Sequence, residues 1–326
     1  MVRIAQLGAG RMGSVHGRNA AANARLDLAW LVDPHPANAA ALAAETGATL
    51  TSFEAVLADP EVKGVIVASS TDAHLDNTLA CLAAGKAVFC EKPLDLALER
   101  LLQHEAALKD APLFVAFNRR FDPHFSALAD KVRSGAIGQL ETLHLINHDP
   151  AAPPAHFVPT SGGLFKDFTI HDFDVAAWLV DEPFSEIFAF ASCLVDPMIG
   201  ELGDVDTARV VLRTASGKLV MISNTRRSGC GYDQRIEAFG SKGMALADNP
   251  LPSTVQRWTE AGAGADPLYP AFMSRYAGAY AAEMDHFADI LEGKAVPAAG
   301  YAASVAALEL AEAAARSAAS GAPVKL

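Results

Sequence analysis

Long apolar runs are missing from this chain. No segment reaches about 18 uninterrupted apolar residues, so a membrane-spanning helix is not expected. Clusters of lysine and arginine are missing too, and the formal charge of −12 at pH 7 makes nucleic acid and an anionic membrane surface poor partners. Only four cysteines occur in 326 residues. Cys81, Cys90, Cys193 and Cys230 show no CxxC or other metal spacing and read as reduced, mostly buried thiols of a cytoplasmic protein. His144 and His148 are four apart, but on a strand that spacing makes no HExxH-like site, so no metal is expected. There is no internal repeat, and the amino terminus enters a strand directly, without the pattern of a signal peptide.

Hydrophobic residues make up 51% of the chain and charged residues 20%, ample for a core, and the length suits two domains. Through the first third, continuous apolar strands (2–7, 28–32, 64–68, 87–90 and 113–117) alternate with helical stretches (from Arg11, 37–45, 74–84 and 96–109). That alternation means a parallel sheet covered on both faces. Polar residues gather at the strand carboxyl ends, at Asp33, Ser69-Ser70-Thr71, Glu91-Lys92 and Asn118-Arg119, where open α/β sheets bind their ligands. From about Leu140 the apolar period becomes two. Strands at 141–147, 207–213, 218–222 and 234–240 form a hairpin-rich, largely antiparallel open sheet, with helices near 169–179, 270–292 and 301–320. The expected architecture is a Rossmann dinucleotide domain over 1–120 and an α+β substrate and oligomerisation domain over 121–326.

Gly8-Ala9-Gly10-Arg11-Met12-Gly13 follows the first strand and opens a helix, the context a dinucleotide fingerprint requires. Its glycines let the backbone approach a pyrophosphate, and the helix amino terminus favours the negative charge. Asp33 ends the second strand about 20 residues past the last glycine, where an acidic side chain meets a ribose diol. Asp33 would repel a 2′-phosphate, and Pro34-His35-Pro36 brings no arginine or lysine to neutralise one, so NAD is expected over NADP.

Glu91-Lys92-Pro93 places a lysine at a strand end, where proline stops the strand. Downstream, Asp167 and His171 are four apart and share one face if the helix has begun. Oxidising a secondary alcohol needs a base for the hydroxyl proton, and histidine is the side chain matched to neutral pH. Lys92 can stabilise the developing alkoxide, and Asp167 can hold substrate or orient the imidazole. The plainer alternative has Asp167 capping the helix and His171 packed in the core.

These residues resemble the glucose–fructose oxidoreductase / inositol dehydrogenase family over nearly the whole chain. The fingerprint, Ser70-Thr71-x-x-His74, Glu91-Lys92-Pro93, Phe117-Asn118-Arg119-Arg120-Phe121 and Gly240-Ser241-Lys242-Gly243 match in order. Asp149-Pro150, Ser161-Gly162-Gly163, Asp167 through Asp174 and Gly231-Tyr232-Asp233-Gln234-Arg235 look like the inositol 2-dehydrogenase branch. The resemblance implies catalysis by Lys92, Asp167 and His171. It implies cofactor contacts from Gly8, Gly10, Arg11, Met12, Asp33, Ser69, Ser70, Thr71, His74, Glu91 and Lys92. Substrate contacts would come from Lys92, Asn118, Arg119, Asn147, Asp149, Asp167, His171, Tyr232 and Tyr280. It further implies a homotetramer associating through the open sheet face, and NAD-dependent oxidation of myo-inositol to 2-keto-myo-inositol. Scyllo-inositol or an aldose is the alternative substrate, and a non-catalytic sugar and dinucleotide sensor is the reading from another class. Where the branch commonly has an arginine before Asp149-Pro150 this chain has His148, and Cys230 stands where an aromatic is frequent. Both positions are expected near the substrate.

Overall fold

The computed structural model describes residues 1–326, which form two compact units: Met1–Phe121 with Gly278–Leu308, and Asp122–Ala277 with Glu309–Leu326. The first begins with β1 (Val2–Leu7), α1 (Arg11–Ala22), β2 (Leu26–Val32), α2 (Pro36–Thr46), β3 (Thr49–Leu50), α3 (Phe53–Ala58) and β4 (Gly64–Val67). It continues through α4 (His74–Ala83), β5 (Ala87–Cys90), α5 (Leu98–Gln103), α6 (Glu105–Leu108) and β6 (Leu113–Val115). All pairings are parallel, in the order β3-β2-β1-β4-β5-β6, the doubly wound Rossmann arrangement. β4 is buried along its whole length, as expected of a strand covered on both faces. Local chemistry sets the helix ends: Pro36 opens α2 and Gly47 closes it at φ 78°, a conformation open to glycine at no steric cost. Residues 96–109, expected as one helix, break at His104 into α5 and α6.

The second unit contains α7 (Pro123–Arg133), β7 (Leu140–His148), α8 (Ile170–Val180), β8 (Phe184–Ser192), α9 (Pro197–Glu201), β9 (Thr207–Thr214) and β10 (Leu219–Thr225). β11 (Asp233–Gly240), β12 (Gly243–Ala247), the small hairpin β13 (Gln256–Thr259) and β14 (Gly262–Ala265), and α10 (Phe272–Arg275) come next. After α11 (Ala277–Leu291) and α12 (Tyr301–Ser320), the chain ends in β15 (Val324–Lys325). The seven-stranded sheet runs β12-β11-β7-β10-β9-β8-β15 and is antiparallel except where β10 lies parallel to β7. Leu143, Leu145, Val210, Leu212, Val220 and Ile222 face its core. Val211, Met221, Phe239, Met244 and Leu246 stand exposed on the other face. Asp122 accepts from the His124 and Phe125 amides to cap α7 and holds the buried Arg275 guanidinium, tying α10 to α7. The fold class is the one expected from the sequence.

The contiguous second domain expected over 121–326 needs correction, because Gly278–Leu308 belongs to the first unit. Met284, Phe287 and Ala288 of α11 are fully buried in a cluster with Ile4, Ile66, Phe89 and Phe114. The ring of Phe287 stands edge-on to Phe89 at 5.8 Å. Residues 270–292 also break at Tyr276, so α10 and α11 go to different units. No helix is long and apolar enough to cross a membrane. Of the cysteines, Cys81 and Cys90 are buried, Cys193 is partly buried and Cys230 is exposed; burial pushes the Cys81 thiol up to about 12.

One of the buried side chains of α11 is an acid. Glu283 is 0% exposed, and neither carboxyl oxygen has a hydrogen-bond partner. Burial, and after it the Glu91 carboxylate, push its carboxyl well above its ordinary value. An unfolded glutamate releases its proton near pH ~4.3 and the folded one at higher pH. Between those values folding takes up a proton, so this group's contribution to stability is full below the unfolded value and is lost as pH rises. Glu283→Gln cannot titrate. The expected outcome is a melting temperature that gains on the native protein as pH rises above about 5 and converges with it near pH ~4. Parallel melting curves across that range would show that Glu283 is not held protonated.

Candidate active site

In the first unit the glycine loop is shaped by its surroundings. Gly8 has φ 98°, and a Cβ there would collide with the Ala68 carbonyl at the end of β4; a Cβ on Gly13 would collide with the Gly8 carbonyl. Gly10 precedes α1 without a side-chain cap and has nothing within 4 Å of the place a Cβ would take. The loop thus leaves uncapped helix amides beside open space, a setting suited to a phosphate. Arg11 is exposed and Met12 partly so at the same helix start. Asp33 does more than end β2: its Oδ2 accepts from the Ala9 amide at 2.6 Å and its Oδ1 from the His35 amide at 2.7 Å. Gln6, which the sequence did not single out, is fully buried and donates to the Gly8 and Gly13 carbonyls at 2.7 and 2.8 Å. The glycine cradle, the open position at Gly10 and the acid at Asp33 fit a dinucleotide with a free ribose diol.

The other strand ends converge on the same edge. Ser69, Ser70 and Thr71 follow β4, and the Lys92–Pro93 peptide after β5 is cis. His74 is 2% exposed, with Nδ1 2.8 Å from the Pro93 carbonyl and Nε2 3.2 Å from the Ser69 carbonyl. It therefore pins the two loops to each other. Glu91 accepts from Nε2 of the buried His16 at 2.5 Å and from the Lys92 amide at 3.1 Å. Burial pushes the Glu91 carboxyl up, but the His16 hydrogen bond and the charges of His16, Lys92 and His74 outweigh it and hold it below its ordinary value. Lys92 is partly exposed. Asn118 and Arg119 are buried in the 3-10 turn after β6. Tyr280 also lies in this unit, buried with its ring edge-on to His16 at 5.8 Å.

In the second unit Asp167 and His171 straddle a change of helix type. Phe165–Thr169 is a π-helical turn that leads into α8, a wide turn often found at functional sites. Asp167 does not cap the helix as the plainer alternative held. Its Oδ2 accepts from Arg226 at 2.9 Å, and the same guanidinium lies 3.3 Å from Asp149 Oδ2 and 4.7 Å above the Phe168 ring. Arg226 escaped the sequence reading. The parallel register of β10 on β7 pairs Thr225 with His148, and the Asp149 amide donates to the Thr225 carbonyl at 2.9 Å, so Arg226 comes to stand beside Asp149.

Beneath these groups lies a buried polar layer. Asn147 and Asn224 donate to Asp172 Oδ2, each at 2.8 Å, Thr169 donates to Asn224, Gln234 donates to Asn147 and Tyr276 to Gln234. Asn147, expected to touch substrate, is 0% exposed with both ends of its amide bonded to protein; its place is structural support. Tyr232 is buried with its ring edge-on to Tyr276 at 5.9 Å. His148 needs correction as a pocket residue. Side chains alternate along a strand, which puts His148 on the sheet face opposite Asn147. There it meets Ser223 Oγ at 2.8 Å and Asp233 at 3.5 Å, and Cys230 is exposed. His144 shares the outer face with His148, but four strand residues separate them by about 13 Å, and no group of three or more His, Cys, Asp or Glu is placed to hold a metal ion.

Comparison with known proteins finds two family domains in order along the chain. Residues 2–118 match the model of an oxidoreductase family with an NAD-binding Rossmann fold, and residues 125–246 match the GFO/IDH/MocA C-terminal domain. The chain is 43% identical over 318 residues to an inositol 2-dehydrogenase of Rhizobium meliloti (strain 1021), covering 97% of this chain and 96% of the relative. It is 41% identical over 291 residues to a myo-inositol 2-dehydrogenase of Thermotoga maritima, covering 88% and 87%. A crystal structure of a putative myo-inositol dehydrogenase from Sinorhizobium meliloti 1021 superposes with a TM-score of 0.97 at 42% identity, covering 100% of this chain and 99% of that one. With both domains matched in order and at this identity along nearly its full length, the chain belongs to the GFO/IDH/MocA family of NAD-dependent oxidoreductases.

Proposed function

We propose that this NAD-dependent dehydrogenase oxidises one secondary hydroxyl of myo-inositol, giving 2-keto-myo-inositol. The observation that carries the substrate is the identity of 41–43%, over most of the chain, to relatives named for inositol or myo-inositol. NAD, held by the glycine loop and Asp33, would supply the hydride acceptor for the carbon that bears the reacting hydroxyl. His171 takes the hydroxyl proton, Lys92 stabilises the negative charge that develops on the oxygen, and Asp167 positions substrate and imidazole. Gly8, Gly10, Arg11 and Met12 offer the pyrophosphate site, and Asp33 the ribose contact. Ser69, Ser70, Thr71, His74 and Glu91 shape the strand ends that would hold the rest of the cofactor. Asn118, Arg119, Asp149, Tyr232 and Tyr280 are the remaining substrate contacts of this reading. Four free cysteines suit a reducing compartment, and the proposal places the protein in the cytoplasm.

The proposal includes a homotetramer. Phe190, Val211, Met221, Phe239, Met244 and Leu246 are 43–66% exposed, and the pairings of β8 to β12 put them on one face of the sheet. An apolar face of that kind marks an association surface. Light scattering should return four times the chain mass of 34.2 kDa. Met221→Glu with Phe239→Glu should lower it; a monomeric native protein would remove the tetramer.

Two substitutions test the chemistry with myo-inositol as substrate. His171→Ala should lower turnover by about 10²–10⁴-fold, the usual worth of a positioned acid–base group, while NAD affinity stays near native. Near-native turnover would instead make His171 a packing residue. Asp33→Ser with His35→Arg should reduce the preference for NAD over NADP by at least about tenfold, the scale of one hydrogen bond to a charged group. Equal affinity of the native protein for both dinucleotides would take that role from Asp33. If the native protein reduces NAD with another polyol and not with myo-inositol, the substrate proposal fails while the reaction class stands.

A further inference from the structure

Arg226 is a buried cation with three defined neighbours. Its side chain is 6% exposed, and the guanidinium reaches Asp167 at 2.9 Å, Asp149 at 3.3 Å and the face of Phe168 at 4.7 Å. The three come from two separate places in the chain: Asp149 follows β7, and Asp167 and Phe168 belong to the π-helical turn. A planar fork held on two carboxylates and a ring has little freedom left, and lysine could not copy it. Burial works against the Arg226 charge, and the Asp167 and Asp149 charges outweigh it.

The other charged groups nearby are committed elsewhere. Lys166 pairs with Glu312 at 2.9 Å, and Arg227 points to the Val195 carbonyl. Asp204 accepts from the Leu164 amide. Asp206 accepts from the amides of Leu194, Val195 and Asp196, while its own backbone carbonyl holds the Arg226 amide at 2.9 Å. Asp172 is spent on Asn147 and Asn224. His171 and the buried Asp174 are the remaining titratable side chains of the segment. Arg226 is a cation set against the Asp167 and Asp149 carboxylates.

We infer that Arg226 is the positioning residue of the catalytic carboxylate, holding Asp167 ionised and aimed while Asp149 fixes the fork from its other side. This rests on the reading of Asp167 as part of the catalytic machinery. Without the guanidinium, two carboxylates would share a poorly solvated site, and one of them would hold its proton to higher pH.

The test uses the full-length protein with NAD and its polyol substrate, and compares Arg226→Gln, Arg226→Lys, Asp167→Asn and the double variant Arg226→Gln/Asp167→Asn. NAD binding, read by fluorescence, reports whether each variant folds. Arg226→Gln should lose about 10²-fold in kcat, with NAD affinity within about twofold of native. The acid limb of its kcat/KM profile should move to higher pH, because a carboxylate that has lost the guanidinium keeps its proton longer. Arg226→Lys should regain part of kcat and return the acid limb towards the native position. The double variant should be scarcely slower than Asp167→Asn alone, since groups that act as a unit are not additive. Multiplying losses in the double variant, or an unmoved acid limb in a folded Arg226→Gln protein, would overturn the inference. Failure of both Arg226 variants to bind NAD would reduce the residue to a structural role, which also overturns it. Near-native turnover in Asp167→Asn would instead sink the catalytic reading of Asp167, an outcome visible in that variant alone.

Discussion

The parallel pairing of β10 with β7 is the constraint on which the second unit depends. In an otherwise antiparallel sheet, this pair sends two chains out at the same end, so the segments leaving β7 and β10 emerge side by side. Asn147 and Asn224 then reach the same carboxylate of Asp172, and two residues further along Asp149 meets Arg226. An antiparallel partner at this place would have sent Arg226 to the far edge of the sheet. The layer of Asn147, Asn224, Gln234, Thr169 and Tyr276 is almost wholly buried, and each member bonds to another. In surroundings of low dielectric that makes the layer stiff, because any one group left unbonded is costly. The π-helical turn carrying Asp167 is seated on this layer through Thr169.

The two faces of the same sheet do different work. The inner face carries the polar layer and the apolar side chains beneath α8, and the outer face carries exposed Val211, Met221, Phe239 and Leu246. Period-two alternation keeps them apart, so that neighbouring residues in sequence, Asn147 and His148, take part in unrelated chemistry. His148 is joined to Ser223 and Asp233 on the outer side. Burial pushes the Asp233 carboxyl up, but hydrogen bonds from His148, Arg235 and Asn249 outweigh it and hold it far below the usual carboxylate range.

What could be read from the sequence was what local pattern records. The continuous apolar strands of the first unit, the glycine loop, Asp33 and the alternating strands β7, β9, β10 and β11 each announce themselves within a few residues. Strand β12, with little of its surface buried, and the Gly-rich hairpin β13–β14 do not, because neither carries an apolar stripe of clear period. Assignment of α11 to the first unit was also hidden: its apolar face is plain in Met284 and Phe287, but the surface it covers is built from β1, β4, β5 and β6, some two hundred residues earlier. Arg226 was missed for the same reason. An arginine after a strand looks like ordinary loop chemistry until the register of a non-adjacent parallel strand sets it against Asp149. His148 failed in the opposite way, since nearness in sequence to Asp149 suggested nearness in space, and alternation forbids it.

The bond between Asp33 and the Ala9 amide carries a consequence for anyone wishing to re-engineer the coenzyme. The carboxylate proposed to discriminate between ribose hydroxyls and a 2′-phosphate also fastens the glycine loop to the end of β2. Choice of dinucleotide and shape of the phosphate cradle are therefore one variable rather than two. Swapping the acid for a small neutral side chain loosens the cradle for both coenzymes at once, and an added arginine supplies positive charge for a 2′-phosphate without restoring the tether. A working switch has to supply a second acceptor for the Ala9 amide, which makes redesign of this loop a problem of backbone anchoring before it is one of charge.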